Sequence, residues 1–151
     1  MRILIVYSSF HHGNTAKIAQ AMADEVKAEL AKPGELDVDR VREYDILGFG
    51  SGIYFWRHHR AIFKLVEKLP NMRGKRAFIF STRGAGPISI YHKPLKRELL
   101  RKGFKIIGEF SCLGYDTFAY LKLIGGISKG HPDKKDIKKA RDFARRLVKS
   151  Q

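Results

Sequence analysis

The chain has 151 residues, 44% of them hydrophobic, enough for one domain with a core of ordinary size. Its single cysteine, Cys112, excludes an internal disulfide and a cysteine-rich zinc site, and no apolar run nears the length of a membrane span. Thirty Lys and Arg against 15 Asp and Glu give a net charge of +15, a surface that favours acidic partners. The basic residues are spread over helices that also carry apolar faces, without an arginine-rich tail, so no specific nucleic-acid function is expected. With no signal peptide expected before Ser8, the cysteine usage points to a cytoplasmic protein.

In chain order, Ile3 to Tyr7 is an apolar run without alternation, the pattern of a parallel strand covered on both faces. A loop of Ser, His, Gly and Asn leads to a helix from about Thr15, with Ile18, Ala19, Met22, Val26 and Leu30 along one side. The short polar stretch Ala31 to Tyr44 predicts a brief edge strand near Ala31 to Pro33 and a helical turn around Asp39 to Glu43. Asp45 to Gly50 is the next strand, opening into a loop, Ser51 to His59, before a helix with Ile62, Leu65, Val66 and Leu69 at helical spacing. Lys75 to Ser81 is a further strand, followed by a Gly-containing loop and a helix carrying Tyr91, Leu95 and Leu99. Phe104 to Phe110 is the last strand, with Cys112 as a small buried residue near its end. The stretch Leu113 to Gly130 is more apolar than a connection demands. Tyr115, Phe118, Tyr120, Leu121, Leu123 and Ile124 either cover the sheet edge or form an exposed patch. Pro132 and Asp133 mark the start of a final helix running to Val148. Strand and helix alternate throughout, which indicates one parallel sheet with helices on both faces.

The first loop suits a phosphate. Ser8, Ser9, Asn14 and Thr15 offer hydroxyl and amide groups, Gly13 lets the backbone approach, and the helix start supplies N–H groups and a positive dipole end. GFGSG at Gly48 to Gly52 is not a dinucleotide fingerprint, because its spacing is wrong and no helix opens on it. The histidine pairs His11-His12 and His58-His59 have no carboxylate at ligand spacing, so no metal site is expected. Arg57, His58, His59 and Arg60 are candidates for a docking patch.

The run Ser8-Ser9-Phe10-His11-His12-Gly13-Asn14-Thr15 resembles the phosphate loop of the flavodoxin-like proteins, which bind FMN. It departs by about one extra residue and by His12, which stands where a hydroxyl residue would precede the Gly. The resemblance implies a single flavodoxin-like α/β domain over residues 1–151: a doubly wound five-stranded parallel sheet in the order 2-1-3-4-5, with helices on both faces. The ligand crevice of such a sheet lies at the carboxyl ends of the strands where the order reverses. It implies FMN as cofactor, with the phosphate in the first loop and the ring between two further loops. Ser51, Gly52, Ile53, Tyr54, Phe55 and Trp56 form one of these, and Ser81, Thr82, Arg83, Gly84, Gly86 and Tyr91 the other. By the same resemblance the Gly52 carbonyl accepts from the reduced ring, and Arg83, a distinctive fixed positive charge in the third loop, is expected to stabilise its anionic form. A chain of charge +15 then holds a less negative second-electron potential than an acidic flavodoxin and docks an acidic redox partner. The first functional reading is a monomeric or weakly dimeric carrier of single electrons, without catalytic residues. An FMN-dependent oxidoreductase acting on NAD(P)H, a quinone or a porphyrinogen is the alternative, and a basic binding module without FMN is the third.

Overall fold

A computed structural model describes residues 1–9, 13–83, 86–114 and 130–151. The chain runs β1 (Ile3–Ser8), α1 (Asn14–Val26), β2 (Glu29–Ala31), two 3₁₀ turns (Pro33–Glu35 and Val38–Glu43), β3 (Ile46–Tyr54), β4 (Arg57–His58) and α2 (Arg60–Lys68). It continues through β5 (Arg76–Arg83), α3 (Ile88–Arg101), β6 (Lys105–Leu113) and α4 (Lys134–Lys149). The sheet order is β2-β1-β3-β5-β6, all neighbours parallel, with β4 paired antiparallel to β3. This is the expected 2-1-3-4-5 order, with β4 added as a hairpin strand.

Two boundaries differ from the sequence reading. The edge strand occupies Glu29–Ala31 and stops before Lys32, whereas Pro33 opens a 3₁₀ turn. Proline has no N–H to give a ladder, and its fixed φ suits the first position of a helical turn. Leu30 therefore belongs to β2 and not to the face of α1, which ends at Val26 with Lys27 in a left-handed conformation. The apolar stretch from Tyr115 to Ile124 lies outside the described residues.

Alternate residues of each strand serve opposite layers. Leu4, Val6, Leu47, Phe49 and Ile79 pack with Ile62 and Leu65 of α2 and with Leu95 and Leu99 of α3. Ile3, Ile5, Ile46, Phe78 and Phe80 pack with Ile18 and Met22 of α1 and with Ala140, Ala144 and Leu147 of α4. Burial on both faces is why the strands read as unbroken apolar runs. Among the described residues no helix is long and apolar enough to cross a membrane.

Two glycines of β3 are fixed by packing. A Cβ at Gly48 would stand 2.2 Å from the Phe78 ring and one at Gly50 would stand 2.3 Å from Phe80, so the β5 rings lie directly over the β3 backbone. Gly50→Ala should destabilise the fold by about 1–3 kcal/mol, the usual cost of overpacking, and lower the urea midpoint. An unchanged midpoint would mean that the Phe80 ring has room to withdraw.

Candidate functional site

The parallel register carries Ser8, Ser51, Ser81 and Ser111 into one row at the carboxyl edge, one from each of β1, β3, β5 and β6. Residues in register share a face, so this row lies on the side of α2 and α3. The next row, Gly52, Thr82 and Cys112, turns toward α1 and α4. Thr82 accordingly meets Thr15 of α1, their buried hydroxyl oxygens 2.9 Å apart. This bond ties the first loop to the third.

At the start of α1, Gly13 holds a left-handed conformation with φ 68° and is an N-cap without a side chain. Ser9 Oγ accepts the Ala16 N–H at 3.1 Å, and no acidic residue stands in the first turn to neutralise the helix dipole. Gly114 closes in from β6: a Cβ there would lie 2.7 Å from Asn14 Nδ2. Phe10, His11 and His12 of this loop, and Gly84 of the third, lie outside the described residues.

The second loop is largely a β-hairpin. β3 continues through Ser51, Gly52, Ile53 and Tyr54, and Ile53 and Tyr54 pair with His58 and Arg57. Ser51 Oγ accepts the His59 N–H at 2.9 Å, and the Arg57 guanidinium lies 3.9 Å from the centre of the Phe63 ring, so both arms of the hairpin are anchored. The turn itself is Phe55-Trp56, both at positive φ, 49° and 71°. Two-residue hairpins of type I′ need this conformation at both positions and normally meet it with Asn-Gly, because a Cβ crowds the backbone there. Here two large aromatics adopt it with their side chains 79% and 65% exposed. Trp56 meets Tyr91 edge to face at 5.6 Å, which brings the second loop onto the start of α3. Tyr91 is buried, and Gly86, at φ 102°, passes over its hydroxyl so closely that a Cβ would overlap it. Arg83 braces the third loop, donating from Nε to the Gly86 carbonyl at 2.8 Å and from Nη1 to Ser111 Oγ at 2.9 Å. Replacing Phe55-Trp56 by Asn-Gly should stabilise the fold by about 1–2 kcal/mol, because it relieves a turn these side chains disfavour. A lower urea midpoint in that variant would contradict the assigned turn.

Beneath the serine row lies a polar cluster that sequence reasoning missed. His92 Nε2 is 2.6 Å from Ser81 Oγ, and His92 Nδ1 is 3.1 Å from Glu109 Oε1, whose other oxygen accepts from Lys96 at 3.1 Å. Ser81 Oγ is also 2.8 Å from Ser111 Oγ. His58, expected on a surface patch, is instead buried, with Nε2 2.9 Å from the Phe80 carbonyl and its ring 5.0 Å from that of His92. Signals for the cluster existed: His92, Leu95 and Leu99 share one helical face, and Glu109 is a charged residue inside an apolar strand.

Burial pushes the His58 imidazole down to about 3, with repulsion from His92 adding to the effect. Burial also lowers His92, against the opposing bond and charge of Glu109. Burial pushes the Cys112 thiol up to about 12, which leaves it protonated and unreactive. His131, Asp133 and Asp136 gather at the start of α4, where the two carboxylates form a reciprocal cap and His131 Nδ1 lies 2.6 Å from Asp136. Between pH 6.5 and about 3 unfolded chains bind a proton at His58 that the folded protein refuses. Stability from this group is complete above pH 6.5 and is lost on acidification through that window, on the order of 3–5 kcal/mol in all. His58→Gln should therefore flatten the fall in urea stability between pH 7 and 4. A fall as steep as in the parent chain would show that another group governs it.

The fold and site define a doubly wound α/β protein with a polar, glycine-containing crevice at the carboxyl edge of its sheet. A flavodoxin-domain model matches residues 4–106, and the chain belongs to that family. It is 48% identical over 151 residues to an uncharacterized protein of Methanocaldococcus jannaschii, covering 99% of this chain and 100% of that one. A flavodoxin from the domain Archaea superposes with a TM-score of 0.73 at 15% identity, over 99% of this chain and 98% of its own. A Streptococcus pneumoniae flavodoxin gives 0.74 at 17% identity, with 100% of both chains covered. The two-electron-reduced flavodoxin of Megasphaera elsdenii gives 0.63 at 19%, over 95% and 98%.

Proposed function

We propose that the chain binds FMN at the carboxyl edge of the sheet and carries electrons one at a time between redox partners in the cytoplasm. The observation that carries this reading is the convergence of three loops at the point where strand order reverses, joined by the Thr15–Thr82 bond and the Trp56–Tyr91 contact. The residues fit the group. Gly13 has no heavy atom within 4 Å of where a Cβ would stand, and the first turn of α1 carries no competing carboxylate. Ser8, Ser9, Gly13, Asn14 and Thr15 would hold the phosphate, with Phe10, His11 and His12 completing the loop. Ser51 to Trp56, Ser81 to Arg83, Gly84, Gly86 and Tyr91 would hold the ring.

Bound FMN supplies reversible one- and two-electron chemistry. The chain's own part is to orient the ring, exclude water and place charge. Trp56, exposed and in contact with the buried Tyr91, is the aromatic able to move aside for a planar ring, whereas Tyr91 forms the fixed wall. Arg83 stands fixed beside the third loop, where positive charge favours a developing anion. Helix α4 alone carries eight Lys and Arg against two Asp, which supports an acidic docking face on the partner of a monomer or weak homodimer.

Asn14→Asp places a negative charge in the first turn of α1 and should weaken FMN binding about tenfold while leaving riboflavin, which lacks the phosphate, little affected. Equal losses for both ligands would remove the phosphate from this loop. Anaerobic titration of the FMN-loaded chain with dithionite should resolve two one-electron steps, with NADH and NADPH leaving the spectrum unchanged. Bleaching by either nucleotide would favour the oxidoreductase instead.

A further inference from the structure

The chain of hydrogen bonds under the serine row has its direction set by Arg83 and Glu109 at its ends when His92 is neutral, the state its burial favours. Arg83 can only donate, and ionised Glu109 can only accept. Arg83 Nη1–H therefore donates to Ser111 Oγ at 2.9 Å, leaving the Ser111 hydroxyl to donate to Ser81 Oγ at 2.8 Å. Ser81 donates in turn to His92 Nε2 at 2.6 Å, and His92 Nδ1–H donates to Glu109 Oε1 at 3.1 Å. In this neutral state the His92 hydrogen sits on Nδ1. Although Ser81, His92 and Glu109 are spaced like a nucleophile, base and orienting acid, Ser81 is fully buried and already shared with Ser111. The arrangement engages its hydroxyl on both sides and does not place it as a nucleophile.

What it can do is move the effect of one proton between the surface and the carboxyl edge. The Glu109 side chain is 29% exposed and Lys96 44% exposed, so solvent reaches the outer end. A proton gained at His92 Nε2 makes both ring nitrogens donors. Ser81 then accepts from His92 and turns its own hydrogen to Ser111, and Ser111, still accepting from Arg83, turns its hydrogen outward. The proton reaches Nε2 by way of the part-buried Ser111 and then Ser81, each hydroxyl passing its hydrogen one step inward, and the uptake leaves both hydroxyl dipoles turned toward the edge where Arg83 sits.

We propose that His92 is a proton-uptake site coupled to reduction of the flavin at the carboxyl edge, with Ser111 and Ser81 as the path of the proton to Nε2 and Glu109 as the charge that holds the resulting imidazolium. This rests on the FMN reading above. The step balances: a one-electron donor adds one electron and one negative charge at the edge, and one proton from solvent forms an N–H bond at His92 Nε2. Ser81 and Ser111 each give up one hydrogen inward and receive one from the edge side, so neither hydroxyl changes in composition. The titratable and charged groups facing His92 are His58 on β4, Arg83 on β5, Glu109 on β6 and Lys96 on α3 itself. His58 stays neutral because it is wholly buried, and its Nε2 is held by the Phe80 carbonyl. Burial and the two cations keep His92 neutral until negative charge accumulates at the edge, while Glu109 keeps protonation within reach.

The test is a proton and nitrogen NMR titration of the His92 ring in the full chain, first without FMN, then with oxidised FMN, then with dithionite-reduced FMN. The expected result is an Nδ1–H tautomer without FMN and an upward shift of the His92 titration by about one pH unit or more on reduction. Ser81→Ala should keep the tautomer but reduce that shift, and Glu109→Gln should lower the titration in every state. In the parent chain the second-electron potential should fall as pH rises between the His92 titration before reduction and that of the reduced form and level off above it, and His92→Gln should remove that slope. A chain that binds and reduces FMN with His92 unshifted overturns this inference alone. A chain that takes up no FMN overturns it together with the function on which it rests.

Discussion

The in-register pairing of β1, β3, β5 and β6 is the constraint from which the site follows. Because alternate residues of a strand face opposite ways, a slip of one residue in any pair would exchange the layers. In the register observed, the serines face α3 and reach His92, while Thr82 faces α1 and reaches Thr15. Glycines Gly48 and Gly50 hold β3 to that register from the other side, since only a residue without a Cβ lets Phe78 and Phe80 lie over it. Core packing and site geometry are therefore set by the same pairing.

Two kinds of polar group meet at the edge. Above the sheet, the dipole of α1 and the donors of the first loop provide positive potential, and no acidic residue stands in the first turn of the helix. Below it, Arg83, Ser111, Ser81, His92 and Glu109 form a satisfied chain, and burial is tolerated because each member has a partner. The Phe55-Trp56 turn, at positive φ, reaches the start of α3 through the Trp56–Tyr91 contact. Sites that hold bulky residues in disfavoured backbone conformations are often sites of function, where the exposed aromatic is worth more than the stability it costs.

The strands were legible because burial on both faces leaves apolar runs such as Ile3 to Val6 and Ala77 to Phe80, and the sheet order followed from strict strand-helix alternation together with the family resemblance. The three loops were legible as Gly, Ser, Thr and aromatic clusters. The β3–β4 hairpin was not, because Phe55-Trp56 carries none of the Asn or Gly that signals such a turn and β4 has only two residues. The edge strand was displaced because Pro33 suits the end of an edge strand and the start of a 3₁₀ turn equally well, and only the helix end at Lys27 decides between them. His92 and Glu109 lie 17 residues apart on different elements, so their contact depends on helix phase and strand register together. Each residue looked isolated when taken alone.

Amide NMR titration of the nitrogen-labelled chain with FMN tests the central claim most directly, since it reads the whole surface at once. The account predicts saturation at one FMN per chain, with the largest shifts at Ser9, Gly13 to Ala16, Ser51 to Trp56, Ser81 to Arg83 and Gly86. Shifts confined to the groove between α1 and α4, lined by Glu25, Ile137 and Arg141, would contradict it, as would no shift at all.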